Sequence, residues 1–118
     1  MQNAEKDLAA RTKNFARRTI RLYVALPKET VAQVPGKQVL RSGTSVGANY
    51  REANRGRSKA AFISKAGDCL KEADETAYWL ELLAEEGIVL RKRLEPLLQE
   101  INELISILVT ISKRARGD

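Results

Sequence analysis

Two glutamates, Glu72 and Glu75, stand three positions apart in "KEADET", close enough on one helical face to work as an acid–base pair or to hold metal ions. Ferritin-like carboxylate centres, however, require Glu-x-x-His pairs, and this chain of 118 residues has no histidine. The same absence removes the commonest general base and the commonest metal ligand. The lone Cys69 can form neither an internal disulfide nor a cysteine-rich zinc site, and a single buried thiol suits a reducing compartment. The stretch "RSGTSVGANY", residues 41–50, has the small residues of a phosphate-cradling loop without its spacing. It matches neither GxGxxG nor GxxxxGK[ST], and no strand precedes it. No nucleophile–base pair and no metal set can be assembled, so neither enzymatic activity nor a cofactor is expected.

What remains is charge. Lys and Arg number 21 against 15 Asp and Glu, a net of +6. Residues 1–59 carry 13 cations against 4 anions and residues 60–118 carry 8 against 11, so the positive charge sits in the first half. Such asymmetry suits an anionic partner or self-association between unlike faces. The cations form three groups: Arg11, Lys13, Arg17, Arg18 and Arg21; then Arg51, Arg55, Arg57 and Lys59; then Lys113, Arg114 and Arg116. The first two groups are candidate contacts to the phosphate backbone of RNA or DNA, with affinity that is independent of sequence and sensitive to salt. Tyr50 falls on an inward stripe, so no stacking platform accompanies them. The competing use of the same charge is solvated surface, helix C-terminal pairing and contacts between subunits.

The elements that must position these groups are helices. Leu8, Thr12, Phe15, Thr19, Leu22 and Leu26 step by four and three, and so do Val39, Gly43, Val46, Tyr50 and Ala53. Phe62, Ala66, Cys69, Ala73, Thr76, Leu80 and Leu83 repeat the step, followed by Leu94, Leu97, Ile101, Leu104, Leu108 and Ile111. No segment alternates with period two. One domain over residues 1–118 is expected, an all-α, up-and-down, antiparallel and left-handed four-helix bundle with helices near 5–26, 37–55, 58–86 and 93–114. Pro35-Gly36 reads as a turn that ends a long 27–36 connection, within which "KETVAQV" can form one extra turn. Gly56 suits a C′ position, Ser58 an N-cap, Gly87 a helix end, and Pro96 the first turn of the fourth helix. Gly43 and Gly47, one turn apart on the inward stripe, read as a site where two backbones approach closely. Arg41 or Asn49 is expected to bond a third-helix carboxylate, Glu72 or Glu75, across the seam.

Several side chains fall off the inward stripes. Ile20 and Val24 lie one turn apart on the first helix; Trp79 and Leu82 on the third share a line with Asp68, Glu72 and Glu75. "AYWLELLA" is apolar over more of its circumference than a monomer needs. These seven residues are candidate interface positions between copies, a basic first-helix face meeting an acidic third-helix face head to tail. The alternative is that they tuck beneath the 27–36 connection. The start "MQNAEKDLAARTKN" lacks the apolar core of a signal peptide and "LISILVTI" is too short to cross a bilayer, so a cytoplasmic protein without a membrane partner is expected.

Within residues 38–87, the stretches "LRSGTSVGANYREANRGRS" and "KEADETAYWL" together resemble the four-helix bundle proteins encoded by 23S rRNA intervening sequences. The resemblance is carried by Arg41, Ser45 and Asn49 in an R-x-x-x-S-x-x-x-N helix, by Gly56 and Ser58 in a G-x-S turn, and by Phe62. It continues through Lys71, Glu72, Ala73, Glu75, Thr76, Tyr78, Trp79 and Leu80 in "KEADETAYWL". It implies an all-α bundle that assembles as a cyclic homopentamer. A related branch, the accessory proteins of diversity-generating retroelements, forms basic pentamers that bind nucleic acid and a reverse transcriptase. No catalytic residue carries over. The expectation is a non-enzymatic homo-oligomer whose basic surface binds nucleic acid, RNA foremost; a protein-interaction scaffold is the alternative.

Overall fold

Apolar stripes repeating every three to four residues cannot be shielded by an isolated helix, so each must find a neighbour. In the computed structural model, which describes residues 2–117 and side chains from Leu8 to Gly117, four helices do this: α1 (Gln2–Ala25), α2 (Thr30–Asn54), α3 (Lys59–Glu85) and α4 (Arg91–Arg116). There is no strand among the described residues. Connections of four, four and five residues reverse the chain each time, giving an up-and-down four-helix bundle about 45 Å long and 21 Å across. α2 packs against α1 on one side and α3 on the other, α3 against α4, and a thinner α1–α4 seam closes the quartet. Leu8, Phe15, Val46, Tyr50, Leu80, Leu83, Ile101 and Leu108 are buried along the axis, as the stripes require.

The helix ends follow local chemistry. The Ser58 side chain accepts from the Ala61 N–H at 3.0 Å, the expected N-cap of α3. Past the end of α3, Gly87 takes φ +69°, while Ile88 N–H returns to Leu83 C=O at 3.0 Å and Gly87 N–H to Ala84 C=O at 3.1 Å, a Schellman closure. Gly56 follows the end of α2 but does not adopt a left-handed φ. It is needed for space: a Cβ there would stand 3.1 Å from Ala53 O and 3.3 Å from Ala61 Cβ.

The 27–36 connection expected from Pro35-Gly36 is not a loop. Helix α2 begins at Thr30, seven residues before the expected position 37, and Pro35 is its sixth residue. A proline there removes one hydrogen bond, the one to the Val31 carbonyl, and Val31 is exposed, so water can replace the missing donor. Gly36 is set by packing, since a Cβ would overlap Leu26 Cδ1 and press on the Tyr23 ring. Pro96 repeats the arrangement. It is the sixth residue of α4 and lies beyond the first turn where it was expected, because α4 starts at Arg91; the carbonyl left over belongs to exposed Lys92.

Along the α1–α2 seam, a Cβ at Gly43 would stand 2.6 Å from Thr19 Cγ2, and one at Gly47 would stand 3.3 Å from the Thr12 backbone. Thr12 and Thr19 are buried against these glycines and turn their hydroxyls onto their own helix, Thr12 to Ala9 O and Thr19 to Ala16 O. Glycine inside a helix costs about 1 kcal/mol relative to alanine, and close packing of two helices offsets it. Two substitutions therefore move stability in opposite directions. Gly67→Ala, on α3 with nothing within 4 Å, stabilises by about 1 kcal/mol. Gly43→Ala gains the same propensity but overpacks Thr19, for a net loss of about 1–2 kcal/mol; urea unfolding midpoints measure both.

Candidate nucleic-acid interface

Because the glycine seam draws α1 and α2 together, the outer groove between them has a floor of small residues. Ala9 and Ala16 come from α1, and Thr44, Gly47 and Ala48 from α2. Lys13 rises from the α1 side, Arg51 and Arg55 from the α2 side, and the groove encloses about 500 Å³. Arg51 and Arg55 are one helical turn apart, about 5–6 Å at Cβ. None of the three cations makes a salt bridge with the described residues. The carboxylate that shares the groove, Glu52, is held by Lys65 of α3 at 2.9 Å; Lys65 also stands 3.9 Å from Asp68. One groove thus gathers members of two of the three basic groups.

The remaining cations divide by topology. Arg57 and Lys59 are exposed at the α2–α3 turn beside Arg55, and the C-terminal turn of α4 brings Lys113, Arg114 and Arg116 to the same end of the bundle. Arg17 and Arg21 are exposed on the outer face of α1; Arg18 is half-buried and acts electrostatically on Glu100. Arg11 is committed within the chain. Its guanidinium bonds Glu100 through two nitrogens at 2.9 and 2.7 Å and Glu103 at 3.0 Å, tying α1 to α4. The hydrogen bond to Glu100, opposed by desolvation, raises Arg11 further above its usual value, and the same bond holds the Glu100 carboxyl below the usual carboxylate range.

Glu72 and Glu75 share one cation. Arg41 of α2 bonds Glu72 at 3.2 Å and Glu75 at 2.5 Å, so Arg41 rather than Asn49 makes the expected bridge to the third helix. Beneath it lie buried hydroxyls: Thr76 donates to Ser42 Oγ at 2.7 Å, and Ser42 donates to Gln38 O at 2.7 Å. The Cys69 thiol donates to Val46 O at 3.1 Å, and burial pushes its pKa up to about 12. These three acidic interface candidates, Asp68, Glu72 and Glu75, are therefore all engaged by cations of their own subunit.

The apolar candidates are open. Ile20 is 47 % and Val24 69 % exposed on α1. Trp79 and Leu82 are half-buried and face a second groove, completed by Thr30, Val31, Val34 and Pro35 at the start of α2. Residues 30–35, which fall within the expected 27–36 connection, stand beside Trp79 and Leu82 and leave both half-buried. Val31 and Val34, 66 % and 55 % exposed, belong to the continuous helix α2 and not to a separate extra turn within the expected connection, so they share one face with Pro35. Tyr78 packs edge-on against Trp79 with centroids 5.1 Å apart, and the Trp79 Nε1–H has no acceptor among the described residues.

A family model described as 23S rRNA-intervening sequence protein matches residues 5–110. The chain belongs to that family. It is also similar to a solved structure from Bacteroides thetaiotaomicron VPI-5482, described as a protein of unknown function from the S23 ribosomal protein family. Identity is 41 % over 93 % of this chain and 98 % of that one, with a TM-score of 0.87. No curated protein matches the chain. Among the described residues of this 23S rRNA-intervening sequence protein, no helix is long and apolar enough to cross a membrane.

Arg11 thus serves the bundle, and Arg11→Met is expected to destabilise it by about 1 kcal/mol at pH 7. The Arg11 contact depresses the Glu100 carboxyl, so its contribution is complete above the unfolded value of about 4.3 and disappears as pH falls through the folded value. Unfolding free energies of wild type and Arg11→Met should differ at neutral pH and converge only once pH has fallen below the depressed value of the folded Glu100 carboxyl, measured by denaturant titration across pH.

Proposed function

We propose that this member of the 23S rRNA-intervening sequence protein family is a non-enzymatic, cytoplasmic, homo-oligomeric bundle that binds the phosphate backbone of nucleic acid, RNA foremost, in the α1–α2 groove. The observation that carries this reading is the convergence of Lys13, Arg51 and Arg55 on one groove with no carboxylate partner among the described residues, while Glu52, the carboxylate that lines the groove, is occupied by Lys65. Arg57, Lys59 and the α4 terminus extend the positive surface at the same end. Recognition is of phosphate and not of bases, because Tyr50, the aromatic residue of the groove, is 2 % exposed and cannot offer its ring. Self-association, cyclic and pentameric as the family resemblance implies, repeats the groove around an axis, so a strand that spans two subunits gains avidity.

Fluorescence anisotropy of a labelled single-stranded RNA against salt tests this. Each phosphate neutralised on a single strand contributes about 0.7 to the log–log salt slope. The triple variant Lys13→Ala, Arg51→Ala, Arg55→Ala should lose about 2 from that slope and at least about tenfold in affinity, equally for purine-rich and pyrimidine-rich strands. An unchanged slope would remove the groove from the interface. Absence of binding by the wild type at about 50 mM salt, where backbone contacts are strong, would favour the second reading, a protein-interaction scaffold, which the open apolar groove at Trp79 supports.

A further inference from the structure

The second groove is apolar, and the same chain carries a ridge of matching chemistry. The trough, of about 610 Å³, is walled by Val31, Val34 and Pro35 of α2 and by Trp79 and Leu82 of α3, with Ile88 at its end. Nothing among the described residues fills it, and its two valines are more than half exposed. A contiguous apolar trough on an otherwise charged helical surface marks a place where another surface docks. On α1, Ile20 and Val24 stand one turn apart and largely in solvent. Arg17 and Arg21 flank that ridge, whereas Glu86 lines the trough and Glu29 caps the helix that forms its wall. Ridge and trough are both apolar; two arginines flank the ridge, and the charged residue that lines the trough is Glu86.

We propose that the trough of one copy holds the Ile20–Val24 ridge of a second copy of this chain. The inference rests on the self-association in the proposed function and names its surfaces. Ionic matching to Asp68, Glu72 and Glu75 does not drive the joint, because Arg41 and Lys65 of the same subunit already engage those carboxylates. Apolar burial drives it, and the outer charges set its direction. Ridge and trough are different surfaces of one subunit, so the contact is heterologous and repeats until a ring closes. The trough lies apart from the phosphate groove, on the α2–α3 side of α2, whereas the ridge continues the groove's α1 wall, with Ile20 one turn beyond Ala16.

Two variants, each at an exposed position, separate the surfaces: Val24→Asp breaks the ridge and Val34→Asp breaks the trough. Light scattering after size exclusion reads the mass, and circular dichroism confirms that both variants fold. Wild type is expected to be an oligomer and each variant alone a monomer. An equimolar mixture is expected to give a 1:1 heterodimer that grows no further, because the Val34→Asp chain keeps a sound ridge and the Val24→Asp chain keeps a sound trough. Oligomers that survive both substitutions, or variants that stay monomeric when mixed, overturn the joint. A wild-type monomer overturns the joint and the self-association reading together, and leaves phosphate binding to be decided by its salt dependence.

Discussion

The close approach of α1 to α2 is the constraint on which the remaining features depend. Gly43 and Gly47 give up helix propensity so that Thr19 and the Thr12 backbone can lie where a Cβ would otherwise be. On its other flank α2 is also small and polar, with Ser42 bonded to Thr76 and the Val46 carbonyl taking the Cys69 thiol. α2 is therefore the helix that two neighbours press against from both sides. That placement brings Lys13 opposite Arg51 and Arg55 and leaves a floor of alanine and glycine between them. A bulkier α2 would push α1 outward, and the same cations would be scattered surface charges.

Electrostatics then divides the cations into two classes. Arg11 and Arg41 each take two carboxylates from a neighbouring helix, Glu100 and Glu103 in one case and Glu72 and Glu75 in the other. These contacts fix how α4 sits against α1 and α3 against α2. Forked pairing of a guanidinium with two acids suits arginine better than lysine. The result is uneven neutralisation. Four of the acidic residues on α3 and α4 are absorbed by two arginines, while Lys13, Arg51, Arg55, Arg57 and Lys59 are left without a carboxylate among the described residues. A net charge of +6 would be unremarkable if spread evenly; concentrated along one groove and one end, it becomes a field that an anion can find.

The helical count, the buried stripes and the Arg41 bridge were legible because they depend on spacing alone. A 4-3 repeat specifies a buried face, and a cation on α2 opposite carboxylates on α3 follows once the faces are known. Pro35-Gly36 was misread because the reason for each residue is tertiary. Gly36 answers to Leu26 and Tyr23, ten or more positions away, and Pro35 is tolerated because the carbonyl it abandons belongs to the exposed residue Val31. The error hid Val31 and Val34, and with them one wall of the apolar trough. Arg11 shows the complementary limit. Sequence placed it among the outer cations of α1, but its partners lie on α4, 89 and 92 positions further along, and no local pattern announces them.

The groove's indifference to base identity is a consequence of the core. Tyr50 lies beside Arg51 and lines the groove, so a stacking platform is one rotation away in sequence terms. Its ring is instead among the largest fully buried side chains of the bundle. Stacking one base on an aromatic ring contributes about 1–3 kcal/mol. Withdrawing a ring of this size from the core costs about 1.5–3 kcal/mol before the cavity it leaves is counted. The two terms nearly cancel, and the cavity tips the balance toward the buried rotamer. The aromatic pair of exposed Tyr78 and half-buried Trp79 sits toward the far end of α3, alongside the trough and away from the groove's cations. Charge and exposed aromatic surface are thereby kept on different faces of the bundle, which directs phosphate to one groove and apolar side chains to the other.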